Sequence, residues 1–221
     1  MTYHAALTAA RTHGLDIYGG FHGDISDGLP AEHQTLLMLG PAGDFWERFQ
    51  QEPEYRDGRP DPIDRWSTRV IQTLAAQLDA TPFLPFGGPP YAPFLSWAIK
   101  TGRAWSSPVG MLVHDTTGLM VSYRGALAFR ERLTLPPTGA RPCDSCAAKP
   151  CLSACPVDAL SAEKGYDTAA CHDYLTTRAG QSCLSQGCIA RRACPVSAGA
   201  NRSPAQSAHH MSYFHKPTAF P

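Results

Sequence analysis

The sequence predicts an α/β (α+β) protein in which an N-terminal layer domain is followed by a small cysteine-rich domain. Two observations lead to this prediction. Strand-like and helix-like segments alternate over roughly the first 130 residues, as in layered folds. All eight cysteines of the 221 residues lie between Cys143 and Cys194. The proline-rich stretch LPPTGARP at residues 135–142 is a linker, so we expect domains at residues 1–135 and 136–221.

Local patterns predict the N-terminal elements one by one. An alanine-rich helix over residues 3–13 stops at Gly14. The longest helix covers residues 63–78, where apolar side chains recur at steps of three and four residues. The same reasoning gives short helices at 44–50 and 94–100, strands at 15–21, 35–39, 81–86, 110–114 and 120–129, and an irregular tail from residue 198 on.

Composition and charge exclude several classes of partner. The formal net charge is zero, so there is no basic surface of the kind that nucleic acid or an anionic membrane requires. No apolar run approaches the roughly 18 residues of a membrane span. Residues 1–11 lack a basic segment followed by an apolar one, which is the pattern of an export signal. We therefore expect a cytoplasmic protein that binds neither nucleic acid nor membrane.

The cysteines form two runs that each end in Cys-Pro. The first run has the spacing C-x2-C-x4-C-x3-C-P, which is two residues longer than a bacterial ferredoxin run. The second run is looser, and one further cysteine stands between the runs. The first run is Cys143, Cys146, Cys151 and Cys155, the isolated cysteine is Cys171, and the second run is Cys183, Cys188 and Cys194.

Eight thiolates of this spacing predict two 4Fe-4S clusters with four ligands each. In two-cluster ferredoxins the last cysteine of each run binds the other cluster. This rule assigns Cys143, Cys146, Cys151 and Cys194 to one cluster, and Cys155, Cys171, Cys183 and Cys188 to the other. The lengthened spacings are also compatible with one three-iron or labile cluster. Four disulfides and four-cysteine zinc sites are the alternatives.

The C-terminal pattern resembles the dicluster domain of the epoxyqueuosine reductases, which are cobalamin-dependent. The resemblance lies in the order of the runs and in the C-x-x-Y-L-T motif that holds the isolated cysteine, formed by Cys171, Tyr174, Leu175 and Thr176. It implies a small ferredoxin-like dicluster domain with two 4Fe-4S clusters ligated in the crossed pattern. The chain lacks the basic stripe that binding of tRNA would need.

The N-terminal part resembles the CblC-type cobalamin-processing proteins. The resemblance is carried by His114-Asp-Thr-Thr-Gly118, by Tyr123-Arg124-Gly125 and by the Asp-Pro-Ile-Asp segment that starts at Asp61. It implies a flavin-reductase/nitroreductase-like N-terminal layer domain that binds a corrinoid (cobalamin). The residues it assigns to cofactor binding are His114, Gly118, Tyr123, Arg124 and Gly125.

Together the two resemblances imply an iron–sulfur, corrinoid-dependent oxidoreductase. The clusters would deliver single electrons to the corrinoid, for cobalamin reduction, removal of its upper ligand or reduction of another substrate. A flavodoxin or a ferredoxin reductase would supply the electrons. The alternatives are a ferredoxin-type electron-transfer module without corrinoid and a reductase that binds flavin. Arg191 and Arg192 lie between cluster ligands, where they would raise the local potential or dock an acidic donor.

Overall fold

The chain forms two compact units in a computed structural model that describes residues 1–216. The first unit contains residues 1–104 and 122–140, and the second contains residues 105–121 together with the chain from residue 141 on. This division differs from the boundary expected at residue 135. Residues 105–121 group with the cysteine-rich part because Val109, Val113 and Leu119 are buried in one apolar cluster with Cys151.

The elements follow one another as short segments joined by turns. The helices are α1 (Tyr3–Thr12), α2 (Phe45–Phe49), α3 (Pro53–Arg56), α4 (Pro62–Leu78), α5 (Phe94–Lys100), α6 (Pro142–Ser145), α7 (Thr168–Thr176), α8 (Gln181–Gln186), α9 (Ile189–Ala193) and α10 (Pro204–Phe214). The strands are β1 (Leu15–His22), β2 (Thr35–Pro41), β3 (Thr81–Phe83), β4 (Ala104–Ser106), β5 (Leu112–His114), β6 (Gly125–Phe129), β7 (Leu160–Ser161) and β8 (Gly165–Tyr166).

The N-terminal unit is built on a four-stranded antiparallel sheet of order β1-β2-β6-β3. Every residue of β2 and β6 is buried, which fits two central strands with both faces covered. The remaining sheets pair β4 with β5, and β7 with β8. Strands and helices are thus mixed along the chain and the four-stranded sheet is antiparallel, so the fold is α+β.

Helix α4 supplies much of the core of the N-terminal unit. Pro62 occupies its first turn, where the missing N–H costs nothing. Its apolar face buries Trp66, Ile71 and Leu74 completely or almost completely. Each such side chain stabilises the fold by about 1.5–3 kcal/mol relative to exposure. The amphipathic pattern of the sequence predicted this helix to within one residue at its start.

Four predicted elements need correction. The strand expected over residues 81–86 ends at Phe83, and the strand expected over residues 110–114 begins at Leu112. The strand expected over residues 120–129 begins only at Gly125, because the chain first turns through hydrogen bonds from Met120 N to Thr117 O (3.1 Å) and from Val121 N to Gly118 O (3.4 Å). The irregular tail is wrong for α10, an eleven-residue helix. The Ser203 side chain caps this helix by accepting a hydrogen bond from Gln206 N.

No helix of the described residues is both long and apolar enough to cross a membrane.

Candidate functional site

Two cavities in the C-terminal unit are lined by the eight cysteines, four in each. Site 1 is the cavity lined by Cys143, Cys146, Cys151 and Cys194. Site 2 is the cavity lined by Cys155, Cys171, Cys183 and Cys188. All eight side chains are free thiols. The structure therefore groups the cysteines in the same two sets as the crossed pattern, and it holds no disulfide that would use them.

Short helices and turns bring the site 1 thiols together. Cys143 lies in α6, and Cys151 lies in a single 3-10 turn over Pro150–Leu152. Cys194 follows the last residue of α9 and reaches the same cavity from the other cysteine run. Proline stands in the first turn of both α6 and the 3-10 turn, which presets the backbone there.

Site 2 draws its thiols from two consecutive helices, the residue before a third helix, and one loop. Cys171 lies in α7, Cys183 lies in α8, and Cys188 is the residue that precedes α9. Cys155 comes from the first cysteine run, four residues after Cys151 of site 1. The last cysteine of each run thus lines the cavity that contains most cysteines of the other run.

The size of the cavities bears on the group that they accept. Site 1 encloses about 260 Å³ and site 2 about 190 Å³. A single water needs only about 10–15 Å³ measured in this way. Among the described residues, no three His, Cys, Asp or Glu side chains form a group that could hold a metal ion. Each cavity therefore has room for a group larger than a single ion or water molecule.

Burial keeps the thiols protonated when no cation is present. Desolvation is the largest cause that raises the pKa of Cys143, Cys151, Cys171 and Cys183, and neighbouring cysteines of the same site raise it further. A thiolate is the form that binds metal, so a bound cation must displace these protons. The mutual repulsion of four thiolates would then favour a positively charged group between them.

Hydrogen bonds already reach two sulfurs of site 2. The backbone N–H of Ala159 donates to Cys155 Sγ (3.3 Å), and the hydroxyl of Tyr166 donates to Cys171 Sγ (3.1 Å). The backbone N–H of Ile189 lies near Cys183 and lowers the pKa of that thiol. Donors of this kind orient the sulfurs and tune a metal group bound to them.

Site 1 contains a buried hydroxyl without a partner. Ser107 lines the cavity, is 3 % exposed, and its Oγ makes no hydrogen bond to any described residue. A buried polar atom without a partner costs about 1–3 kcal/mol. A group with acceptor atoms inside site 1 would relieve this cost. The donor set and this hydroxyl both fit an iron–sulfur cluster, whose sulfides and thiolates accept hydrogen bonds.

The two neighbouring arginines of α9 have different environments. The Arg191 side chain lines site 2, and its Nε donates to the Leu119 carbonyl (2.5 Å). Burial lowers the pKa of Arg191. The nearby Cys188 and Tyr166 partly offset this shift because they raise the pKa. Arg192 is exposed and donates to the carbonyl of Gly187 (3.1 Å).

The residues assigned to a corrinoid by resemblance fall in different units. His114 and Gly118 lie in the C-terminal unit, where their backbones exchange two hydrogen bonds of 3.0 Å. The His114 side chain is fully buried, with Nδ1 3.1 Å from the Asp115 carboxylate. A Cβ at Gly118 would lie 2.5 Å from Ser197 N. Glycine at position 118 thus allows the backbone of Ser197 to approach closely.

Tyr123, Arg124 and Gly125 lie in the N-terminal unit and also have contacts within it. The Tyr123 ring packs edge-on against Tyr18, and Arg124 faces Asp64 at 3.5 Å. A Cβ at Gly125 would lie 2.6 Å from the Ile71 side chain. None of the five assigned residues lines site 1 or site 2.

Sequence patterns alone did not identify several residues that line or contact the two sites. Tyr166 lies five residues before Cys171, and this short separation in the sequence could have indicated a contact between them. Met211 and Phe214 of α10 line site 2, and the Ser-Pro start of that helix could have revealed it. Ser107 lies far from the cysteines in the chain and carries no motif, so only the fold brings it to site 1.

No protein-family model, curated protein or solved structure matches this chain.

Proposed function

We propose that the protein is an iron–sulfur redox protein whose C-terminal unit holds two 4Fe-4S clusters and transfers single electrons. Cys143, Cys146, Cys151 and Cys194 would hold one cluster in site 1. Cys155, Cys171, Cys183 and Cys188 would hold the other in site 2. Such clusters supply one-electron transfer at a potential set by charge, hydrogen bonds and exposure.

One observation carries this proposal: eight free thiols line two separate cavities in two sets of four. Four thiolates are the ligand number of a 4Fe-4S cluster, and no thiol is left over. The cavity volumes and the buried Ser107 hydroxyl add support, because both suit a polyatomic group with acceptor atoms.

The electron acceptor that we propose is a corrinoid, on the sequence resemblance alone. The N-terminal unit would then have a flavin-reductase-like architecture, the C-terminal unit a ferredoxin-like one, and the compartment would be the reducing cytoplasm. A flavodoxin or a ferredoxin reductase would donate the electrons. The contribution of this chain would be to bind the corrinoid and to exclude competing reactions around it.

The first experiment tests the clusters. Protein prepared without oxygen and reconstituted with iron and sulfide should be brown, with a broad visible absorbance that bleaches on reduction. Iron and sulfide analysis should give the content of two four-iron clusters per chain. Protein that stays colourless and retains stoichiometric zinc instead would contradict the proposal. Apoprotein from which iron has been removed with a chelator is the control.

The second experiment tests the acceptor. Cluster-loaded protein is incubated with hydroxocobalamin, desalted, and its spectrum recorded before and after reduction of the clusters. We expect cobalt to remain bound and its spectrum to change only in cluster-loaded protein. If a parallel sample retains FMN and no cobalt is bound, the acceptor would be a flavin and not a corrinoid. Retention of neither would leave an electron-transfer module.

A further inference from the structure

The two cysteine-lined sites differ most in the charge placed beside them. Arg191 is the only Lys or Arg among the described residues that line site 2, and no Asp or Glu lines this cavity. In the described part of the chain, no carboxylate lies within ion-pair distance of Arg191; the hydrogen-bond partners of its guanidinium are the carbonyls of Leu119 and Val121. No carboxylate among the described residues therefore neutralises its positive charge.

A buried cation interacts more strongly with a nearby charge than an exposed one does. The Coulomb energy between two charges grows several-fold as the local dielectric falls from that of water to that of a protein interior. Exposed charges are also screened by salt. Arg191 combines desolvation with proximity to Cys188, so it is placed to stabilise negative charge in site 2.

The cations near site 1 are exposed or shared with a carboxylate. Lys149 lines site 1 but is exposed to solvent. Arg141 lowers the pKa of Cys143, yet its side chain is 40 % exposed and faces Asp144 at 3.7 Å. Ser107 offers one neutral hydroxyl, whereas two sulfurs of site 2 accept hydrogen bonds from the Ala159 N–H and the Tyr166 hydroxyl.

Reduction of a cluster by one electron adds one negative charge to a core already surrounded by four thiolates. Hydrogen bonds to the sulfurs and nearby positive charge stabilise this reduced state and raise the potential. We propose that the two clusters are not equivalent, that the cluster in site 2 is reduced first, and that Arg191 is the main cause of the difference. This inference rests on the proposed function, since it presupposes both clusters.

The experiment is a redox titration of cluster-loaded protein with dithionite as the electron donor, followed by electron paramagnetic resonance. Two conservative variants show which of the two measured potentials belongs to which site. Tyr166→Phe removes the hydroxyl next to Cys171 and should lower the potential of site 2. Ser107→Ala removes the hydroxyl in site 1 and should lower the potential of site 1. We expect Tyr166→Phe to shift the higher of the two potentials, and Ser107→Ala to shift the lower one.

Two arginine variants test the cause. Arg191→Gln should bring the higher potential down towards or below the lower one, and Arg191→Lys should retain most of the difference. Arg192→Gln is the matched control, because Arg192 is the next residue and lies near Cys183 but is exposed. It should shift the site 2 potential much less than Arg191→Gln does.

The outcomes separate this inference from the function on which it rests. Wild-type protein that takes up no iron would contradict the proposed function and the inference together. Two loaded clusters with potentials that Arg191→Gln leaves unchanged would overturn the inference alone. If the Arg191→Gln variant does not take up its clusters, the wild-type potentials still test the inference. In that case, a Tyr166→Phe variant that shifts the lower of the two potentials overturns the inference.

Discussion

The hydroxyl of Tyr166 donates a hydrogen bond to Cys171 Sγ across 3.1 Å, so a side chain outside the cysteine set fixes the orientation of one thiol. Partners of this kind commonly change metal affinity 10- to 100-fold, roughly. We expect Tyr166→Phe to lose its site 2 cluster to a chelator about ten times faster than wild type. The measurement is the decay of the visible absorbance under anaerobic conditions.

Tyr174→Phe is the control for this variant. Tyr174 also lines site 2, but its hydroxyl donates to the carbonyl of Ala179 (3.0 Å) and to no cysteine. Its decay should match that of wild type. Equal acceleration by both variants would attribute the effect to general loosening of the unit.

Paired serine substitutions distinguish the crossed arrangement from one in which each run holds its own cluster. Cys155→Ser combined with Cys183→Ser removes two thiols of site 2, and site 1 should still hold its cluster. Cys151→Ser combined with Cys155→Ser removes one thiol from each site and should lose both clusters. Iron and sulfide analysis measures the outcome. The reverse result would show that the runs are not crossed.

A side chain at Gly118 should destabilise the C-terminal unit. Its φ is +56°, and a Cβ would lie 2.5 Å from Ser197 N and 2.8 Å from Val196 C. The left-handed backbone costs about 1–2 kcal/mol and the overpacking adds about 1–3 kcal/mol. We therefore expect Gly118→Ala to lower the free energy of unfolding by about 3 kcal/mol, measured by thermal or denaturant unfolding.

Gly165→Ala separates the two causes. Gly165 also has a positive φ of +79°, but a Cβ there would meet nothing within 4 Å. Only the backbone cost of about 1 kcal/mol remains. If the two variants were equally stable, the contact with residues 196 and 197 would not explain the effect at Gly118.

The ion pair between Glu54 and Arg69 predicts a loss of stability in acid. Hydrogen bonds from Arg69 hold the pKa of Glu54 below its ordinary value of 4.5, and Glu54 is 8 % exposed. A carboxylate with a lowered pKa in the fold stabilises it fully above the unfolded pKa. This stabilisation is lost as pH falls through the folded pKa.

Arg69→Met should therefore cost about 1–2 kcal/mol at neutral pH, allowing for the partial exposure of Arg69. Its difference from wild type should shrink once the pH falls below 4.5. Arg48→Met is the control, because the pair of Arg48 with Asp44 is exposed on both sides and contributes less than about 0.5 kcal/mol. Unfolding curves across this pH range give the comparison, and a constant difference would exclude Glu54 as its origin.

The sequence predicted the parts of the fold that depend on local patterns. The apolar spacing of α4 and the fully apolar run of β2 gave elements whose bounds agree closely with the structure. The antiparallel pairing of β6 with both β2 and β3 could not be read in this way, because pairing depends on contacts distant in sequence.

The same contrast holds at the candidate site. The spacing of the cysteines, with the ferredoxin rule, predicted which four thiols share a cavity. It could not predict that Arg191 would line site 2 while Arg192 faces solvent, because this depends on the orientation of the five-residue helix α9. Nor could it place Ser107 in site 1, since residues 105–121 reach the cysteine-rich unit only through the fold.

Helix α9 connects Cys188 of site 2 directly to Cys194 of site 1. The five residues of α9, at 1.5 Å each, span about 7.5 Å along the helix axis. With both cavities loaded, electrons would tunnel between neighbouring centres without an intervening carrier.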